Sequence, residues 1–145
     1  MREENNYYIW NKGEDYYFPI TKNFKTMEFQ CQCKHKTCKE QRISKTLIEK
    51  LVKIRGQILE PIEIHSAFRC HEHQQDLIKQ EVNTVVAKKS THELGDAVDV
   101  APIRMKIATF MTFCSKEFYA IGIAKTFLHL DTRGQDNHQI RRLDY

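Results

Sequence analysis

Apolar residues recur along this chain with two different periods, and the places where one gives way to the other outline its elements. Leu47, Leu51, Ile54 and Ile58 fall at four-, three- and four-residue steps, with Ile48 and Val52 widening the stripe, so the spacing predicts an amphipathic helix. Ser44 stands before it as an N-cap and Pro61 ends it. Ile62 and Ile64 then alternate with Glu63 and His65, the signature of a half-buried strand running into Ser66-Ala67-Phe68-Arg69. Residues 71–80 read as a short polar helix, 83–91 as a loop, and Ala97-Val98-Asp99-Val100 as a strand. Pro102 is expected to open a further helix at its first turn, where its missing N–H costs nothing, with Ile103, Ile107, Phe110, Met111 and Cys114 on the buried face. Two closing strands are predicted over 118–123 and 127–132. Helices and strands mixed in this order suggest an α+β fold, a small and largely antiparallel sheet with helices packed on one side.

Length and composition narrow the class. At 145 residues with 41% hydrophobic content a single core can form without staples, and one domain over 1–145 is expected. The first 22 residues form an aromatic N-terminal arm, with Tyr7, Tyr8, Ile9, Trp10 and Tyr16, Tyr17, Phe18 around Lys12-Gly13, read as a short hairpin or a wrapping arm. No apolar run is long enough to span a membrane, and the polar, aromatic start lacks the features of a secretory signal. A net charge of +4 is compatible with an anionic polymer but too weak to indicate nucleic acid, so no nucleic-acid partner is expected. Arg133 and Arg141-Arg142 read as a solvated basic face.

The chemistry concentrates in two segments. Ser90-Thr91-His92-Glu93-Leu94-Gly95-Asp96-Ala97-Val98-Asp99 places a His at the end of a loop and an Asp seven residues on, within a strand. Imidazole and carboxylate together suit zinc. Gly95 permits the tight turn between them, and Ala97 shares the strand face of Asp99, leaving room where an ion would sit. In Phe127-Leu128-His129-Leu130-Asp131, His129 and Asp131 share a face with Phe127, while Leu128 and Leu130 point into the core. Two His and one Asp on neighbouring strands leave a fourth tetrahedral position for water, as in catalytic rather than structural zinc sites.

The first segment resembles the Ser-x-His-x-x-Gly-x-Ala-x-Asp signature of the zinc-dependent D-alanyl-D-alanine carboxypeptidases and related murein peptidases, whose fold the hedgehog signalling domain shares. The resemblance to the phage and bacterial branch extends through Phe29-x-Cys31-x-Cys33, the Leu47 to Arg55 helix, Pro61-Ile62-Glu63-Ile64 with Ser66-Ala67-Phe68-Arg69-Cys70, and Ile121-Gly122-Ile123 before the His129 segment. It implies His92, Asp99 and His129 as ligands of one catalytic zinc, Arg69 as the group that holds the peptide carbonyl oxygen as charge develops, and Ser90 as a substrate-binding residue. It also implies hydrolysis of peptidoglycan stem or cross-bridge peptides, as a carboxypeptidase or an endopeptidase of the endolysin kind. The enzyme would then be made in the cytoplasm and act at the wall or periplasm after release, or ride on a virion, and a monomer is expected. The alternative is a non-catalytic, zinc-containing wall-binding or structural domain of the same fold.

Three departures bear on mechanism. Ala67 and Phe68 stand where Gly and Tyr are usual, paired glycines are replaced around Val85 and Val86, and Thr126 occupies the position of the acid that carboxypeptidases of the family place three residues before the second His ligand. Asp131 is the candidate general base, aimed toward the metal side by its two-residue offset from His129, with Glu93 as runner-up. Cys31, Cys33, Cys38 and Cys70, with His35 nearby, could form a second metal site, close as disulfides, or remain free thiols. Cys114 belongs to the helix stripe, and His71 and His73 read as an exposed polar helix start.

Overall fold

The computed structural model describes residues 1–14, 17–80, 90–134 and 141–144, the last four by backbone only. Its elements run β1 (Arg2–Glu4), β2 (Tyr7–Asn11), α1 (Thr26–Phe29), β3 (Glu40–Ser44), α2 (Lys45–Ile58), β4 (Ile62–Ser66), α3 (His71–Gln80), β5 (Ala97–Pro102), α4 (Ile107–Cys114), β6 (Ala120–Ile123), β7 (Leu128–Asp131) and β8 (Arg141–Asp144). The class is α+β. The strands form a five-stranded sheet, order β4-β5-β7-β6-β8, and a three-stranded sheet, order β1-β2-β3. Every pairing is antiparallel except that of β6 with β8. Residues 83–89 of the expected loop, Tyr16 of the arm, Val85, Val86 and the side chains of Arg141 and Arg142 lie outside the described set.

The longest helix follows its stripe. Ser44 Oγ accepts the Leu47 N–H at 3.2 Å, and Leu47, Ile48, Leu51, Ile54 and Ile58 are buried. Each such side chain contributes about 1.5–3 kcal/mol through removal from water. Val52 instead stands 40% exposed, on the far edge of the stripe. The helix stops at Leu59, whose φ of 58° breaks the repeat just before Pro61. Across from α2, Val98 and Val100 of β5, Leu128 and Leu130 of β7 and Ile121 of β6 enter the same core, joined by Phe110, Cys114 and Phe118. Alternate residues of β5 and β7 therefore face the other way, and these include Asp99, His129 and Asp131.

Three elements differ from expectation. The arm is a hairpin whose tight turn is Asn5-Asn6, both at positive φ, rather than Lys12-Gly13; asparagine tolerates the left-handed region that a two-residue turn requires. Its second strand pairs with β3, and Trp10 at 2% exposure joins the main core. Strand β3 was hidden because a polar residue, Gln41, holds one of its buried positions. Pro102 ends β5 instead of opening a helix, and Ile103 is 51% exposed. Helix α4 begins only at Ile107 because the buried Glu60 carboxylate accepts the N–H groups of Ile103, Arg104 and Met105 at 3.0–3.3 Å, fixing a turn between strand and helix. Beyond expectation, β8 adds a parallel strand to β6.

Gly95 links the two sheets. Its carbonyl accepts the Ser44 N–H at 2.8 Å, its φ is +77°, and a Cβ there would lie 2.8 Å from the Arg42 carbonyl oxygen. Gly95→Ala should therefore lower stability by about 1–3 kcal/mol, read as a reduced urea midpoint; an unchanged midpoint would refute the close approach.

Backbone N–H donors, that of Arg104 foremost, hold the Glu60 carboxyl below its usual range. A depressed carboxylate stabilises the fold above its unfolded-state pKa and loses that contribution as pH falls. Urea midpoints measured from neutral pH to about pH 3 should thus drop more steeply for the wild type than for Glu60→Gln.

Candidate metal centre

Cross-strand register assembles the site. Asp99 on β5 lies opposite His129 on β7, which lies opposite Gly122 on β6, and in the next row Ala97, Asp131 and Ala120 align in the same way. The small residues flanking each polar one keep the face open around the two functional side chains. His92 comes from the turn before β5. That turn closes through Ser90, whose Oγ accepts the His92 N–H at 3.1 Å and whose carbonyl accepts the Glu93 N–H at 3.0 Å. The Arg69 N–H then donates to the His92 carbonyl at 3.2 Å, binding the turn to the segment after β4.

His92, Asp99 and His129 are all buried and offer ligand atoms within 4.8 Å of one another. Asp99 Oδ1 is 3.0 Å from His129 Nδ1 and 3.3 Å from His92 Nε2. The remaining ring nitrogens are engaged on their outer sides. His92 Nδ1 donates to the Ala67 carbonyl at 2.6 Å, and His129 Nε2 donates to Asp131 Oδ2 at 2.8 Å. A carbonyl accepts only, so the His92 proton sits on Nδ1 and the Nε2 lone pair faces Asp99. With its Nε2 proton held by Asp131, His129 turns Nδ1 to the same point.

The electrostatics suit a cation. Burial pushes His92 below its ordinary range. Burial also works against charge on His129, but Asp131 and Asp99 outweigh it and raise that imidazole. Asp99 is held well below the usual carboxylate range because the adjoining His129 and His92 imidazoles overcome the burial that opposes its charge. Asp131 is lowered to about 2, with His129 and Arg133 overcoming burial. The proton that would make His129 cationic at Nδ1 occupies the place where a divalent ion binds, and metal binding releases such a proton. Donors about 2.0–2.1 Å from a tetrahedral ion stand about 3.3 Å apart, which the 3.0 and 3.3 Å separations match. The residues fit zinc.

A family model described as Peptidase M15 matches residues 22–131. The chain belongs to the Peptidase M15 family. No curated protein and no solved structure matches it. M15 peptidases are zinc-dependent, and in this M15 chain His92, Asp99 and His129 form the candidate site.

The other expected residues take definite positions around it. Arg69 Nη2 lies 3.4 Å from Asp99 Oδ2, while its Nε donates to Ser66 Oγ and its Nη1 to Oε1 of the buried Gln74. Asp131 is fully buried, and both its oxygens are engaged by Arg133 through N, Nε and Nη2 at 2.7–3.1 Å. Arg133 is thus not merely part of a solvated basic face. Glu93 Oε2 lies 3.3 Å from His71 Nδ1, and its buried Oε1 has no hydrogen-bond partner among the described residues. Two supporting pairs had no sequence-level assignment. Arg133 could have been noticed as a cation two residues after a strand-end acid; the Tyr7 hydroxyl, 2.7 Å from Asp96 Oδ1, joins positions 89 residues apart and left no local signal.

Because Asp131 fixes the His129 tautomer, Asp131→Asn should weaken zinc binding about 10–100-fold in competition against a chromophoric chelator. Unchanged affinity would show that the His129–Asp131 bond does not orient the ligand.

Proposed function

We propose that this M15 zinc peptidase hydrolyses peptide bonds in peptidoglycan stem or cross-bridge peptides, acting at the cell wall in the manner of a lysin. The observation that carries the reading is the convergence of His92, Asp99 and His129 beside the Arg69 guanidinium. A bound zinc supplies Lewis acidity to the peptide carbonyl and to an attacking water. The chain's own residues supply orientation and charge. Arg69, held on three sides by Ser66, Gln74 and Asp99, presents a permanently charged group near the ligands, and the carbonyl oxygen gains negative charge where that guanidinium can stabilise it. Ser90, whose hydroxyl closes the His92 turn, stands at the rim as the substrate-binding candidate.

Asp131 and Glu93 divide the remaining acid chemistry. With every Asp131 oxygen engaged by His129 or Arg133, its part is to orient His129; Glu93, adjacent in the chain to His92 and with one oxygen unpartnered among the described residues, is the remaining candidate for taking a proton from water. The same observations support a second reading. Thr126 at the usual acid position and a saturated Asp131 also suit a domain that keeps the metal fold and binds wall polymer without cutting it.

Digestion of defined muropeptides with mass analysis of the products distinguishes these readings and identifies the bond. His92→Ala and His129→Ala should abolish cleavage, Arg69→Ala should lower kcat/KM by about 10²–10³-fold, and Glu93→Gln should cost more than Asp131→Asn at saturating zinc. A zinc-free protein with full activity would overturn the peptidase reading. Failure to cut any fragment, with retained sedimentation on cell walls, would favour the binding domain.

A further inference from the structure

Away from the His–Asp site, four cysteines converge from three separate segments. Cys31 and Cys33 follow α1, Cys38 precedes β3, and Cys70 opens α3. All four thiols are free, and their Sγ atoms lie within 4.8 Å of one another. Cys70 Sγ is 3.8 Å from Cys31 Sγ and 3.6 Å from Cys33 Sγ. Zinc–sulfur bonds of about 2.3 Å in a tetrahedron separate the sulfurs by about 3.8 Å. Disulfide pairing would instead select two partners and draw them to about 2 Å, whereas Cys70 stands almost equally near two thiols.

N–H donors are aimed at the sulfurs. The Cys70 N–H points to Cys31 Sγ at 3.4 Å, the His73 N–H to Cys70 Sγ at 3.4 Å, and Gln41 Nε2 to Cys38 Sγ at 3.3 Å. Gln41 is fully buried and is itself fixed by the Cys31 N–H, which donates to its Oε1 at 2.6 Å. The Lys12 ammonium lies 4.0 Å from Cys33 Sγ, and His73 Nδ1 lies 3.2 Å from Cys31 Sγ, so His73 belongs to this cluster rather than to an exposed helix start. His35 faces Asp76 instead, so it is not gathered with the thiols.

We infer that Cys31, Cys33, Cys38 and Cys70 bind a second, structural zinc ion as a closed tetrathiolate site. The site ties the Cys31–Cys38 loop to Cys70. Since Cys70 follows Arg69 directly, and the Phe68 N–H already donates to the Phe29 carbonyl at 3.0 Å, the clamp fixes the segment that carries the guanidinium. It is independent of whether the His–Asp centre cleaves anything.

Protein purified under reducing conditions should contain two zinc ions per chain. His92→Ala/His129→Ala should retain one, and Cys33→Ser/Cys38→Ser should lose one while keeping the other. Cobalt exchanged into the His92→Ala/His129→Ala chain should give intense sulfur-to-metal charge-transfer absorption, a readout that needs no cysteine variant to fold. No zinc in the His92→Ala/His129→Ala chain, an unchanged zinc content in the cysteine double variant, no thiolate absorption with cobalt, or alkylation followed by mass analysis showing the four cysteines paired as disulfides would each overturn the assignment.

Discussion

The carboxylate of Asp99 sits buried in the middle of the larger sheet, and much of the structure around it answers the cost of that placement. An unpaired ion in such a position would be neutralised or expelled. Here His92, His129 and Arg69 surround it, each delivered by a different element: the turn before β5, strand β7, and the segment after β4. The sheet register, the tight turn at Gly95 and the attachment of Arg69 to the His92 carbonyl are the means by which these groups meet. A metal-ligand set and a solution to a buried charge are the same arrangement in this fold.

Residues 67–70 are the junction on which that arrangement turns. Ala67 accepts the His92 ring proton, Phe68 bonds the end of α1, Arg69 contacts both the His92 carbonyl and Asp99, and Cys70 joins the thiol cluster. A β-bulge between Ile64 and Ser66 ends the regular pairing of β4 just before this stretch. Freed from the ladder, its backbone groups can serve the site, which is a frequent use of bulges. Ala67 and Phe68, where the sequence resemblance leads one to expect Gly and Tyr, fall within the same four residues. Phe68 packs with Cys31 and Cys38, so this chain uses the position for burial rather than for a phenol.

What could be read from sequence followed how local the cause was. The α2 stripe, its Ser44 cap and the alternation in β5 and β7 arise from short-range periodicity, and the shared face of His129 and Asp131 follows from it directly. Strand β3 could not be found in that way, because Gln41 is buried by virtue of hydrogen bonds to Cys31 and Cys38 that only the folded chain provides. The late start of α4 depends on Glu60, more than 40 residues away. The convergence of the thiols depends on three segments closing together, so the irregular Cys-x-Cys-x4-Cys spacing gave little indication of four sulfurs within 4.8 Å of one another.

The Asp131–Arg133 pair shows why polar burial in this protein points to orientation more than to stability. Asp131 is fully buried while the Arg133 side chain is 42% exposed, so desolvation of the acid offsets much of an attraction that water already weakens at the guanidinium. An apolar pair at these positions could therefore fold as well. It could not hold a proton on His129 Nε2, and without that proton the ring has no reason to present Nδ1 toward Asp99. Arg133 in turn keeps Asp131 ionised and fixes both its oxygens, leaving it an acceptor toward His129. The chain of Arg133, Asp131, His129 and Asp99 thus carries orientation inward from a guanidinium at the surface to the point where the two imidazoles meet the carboxylate.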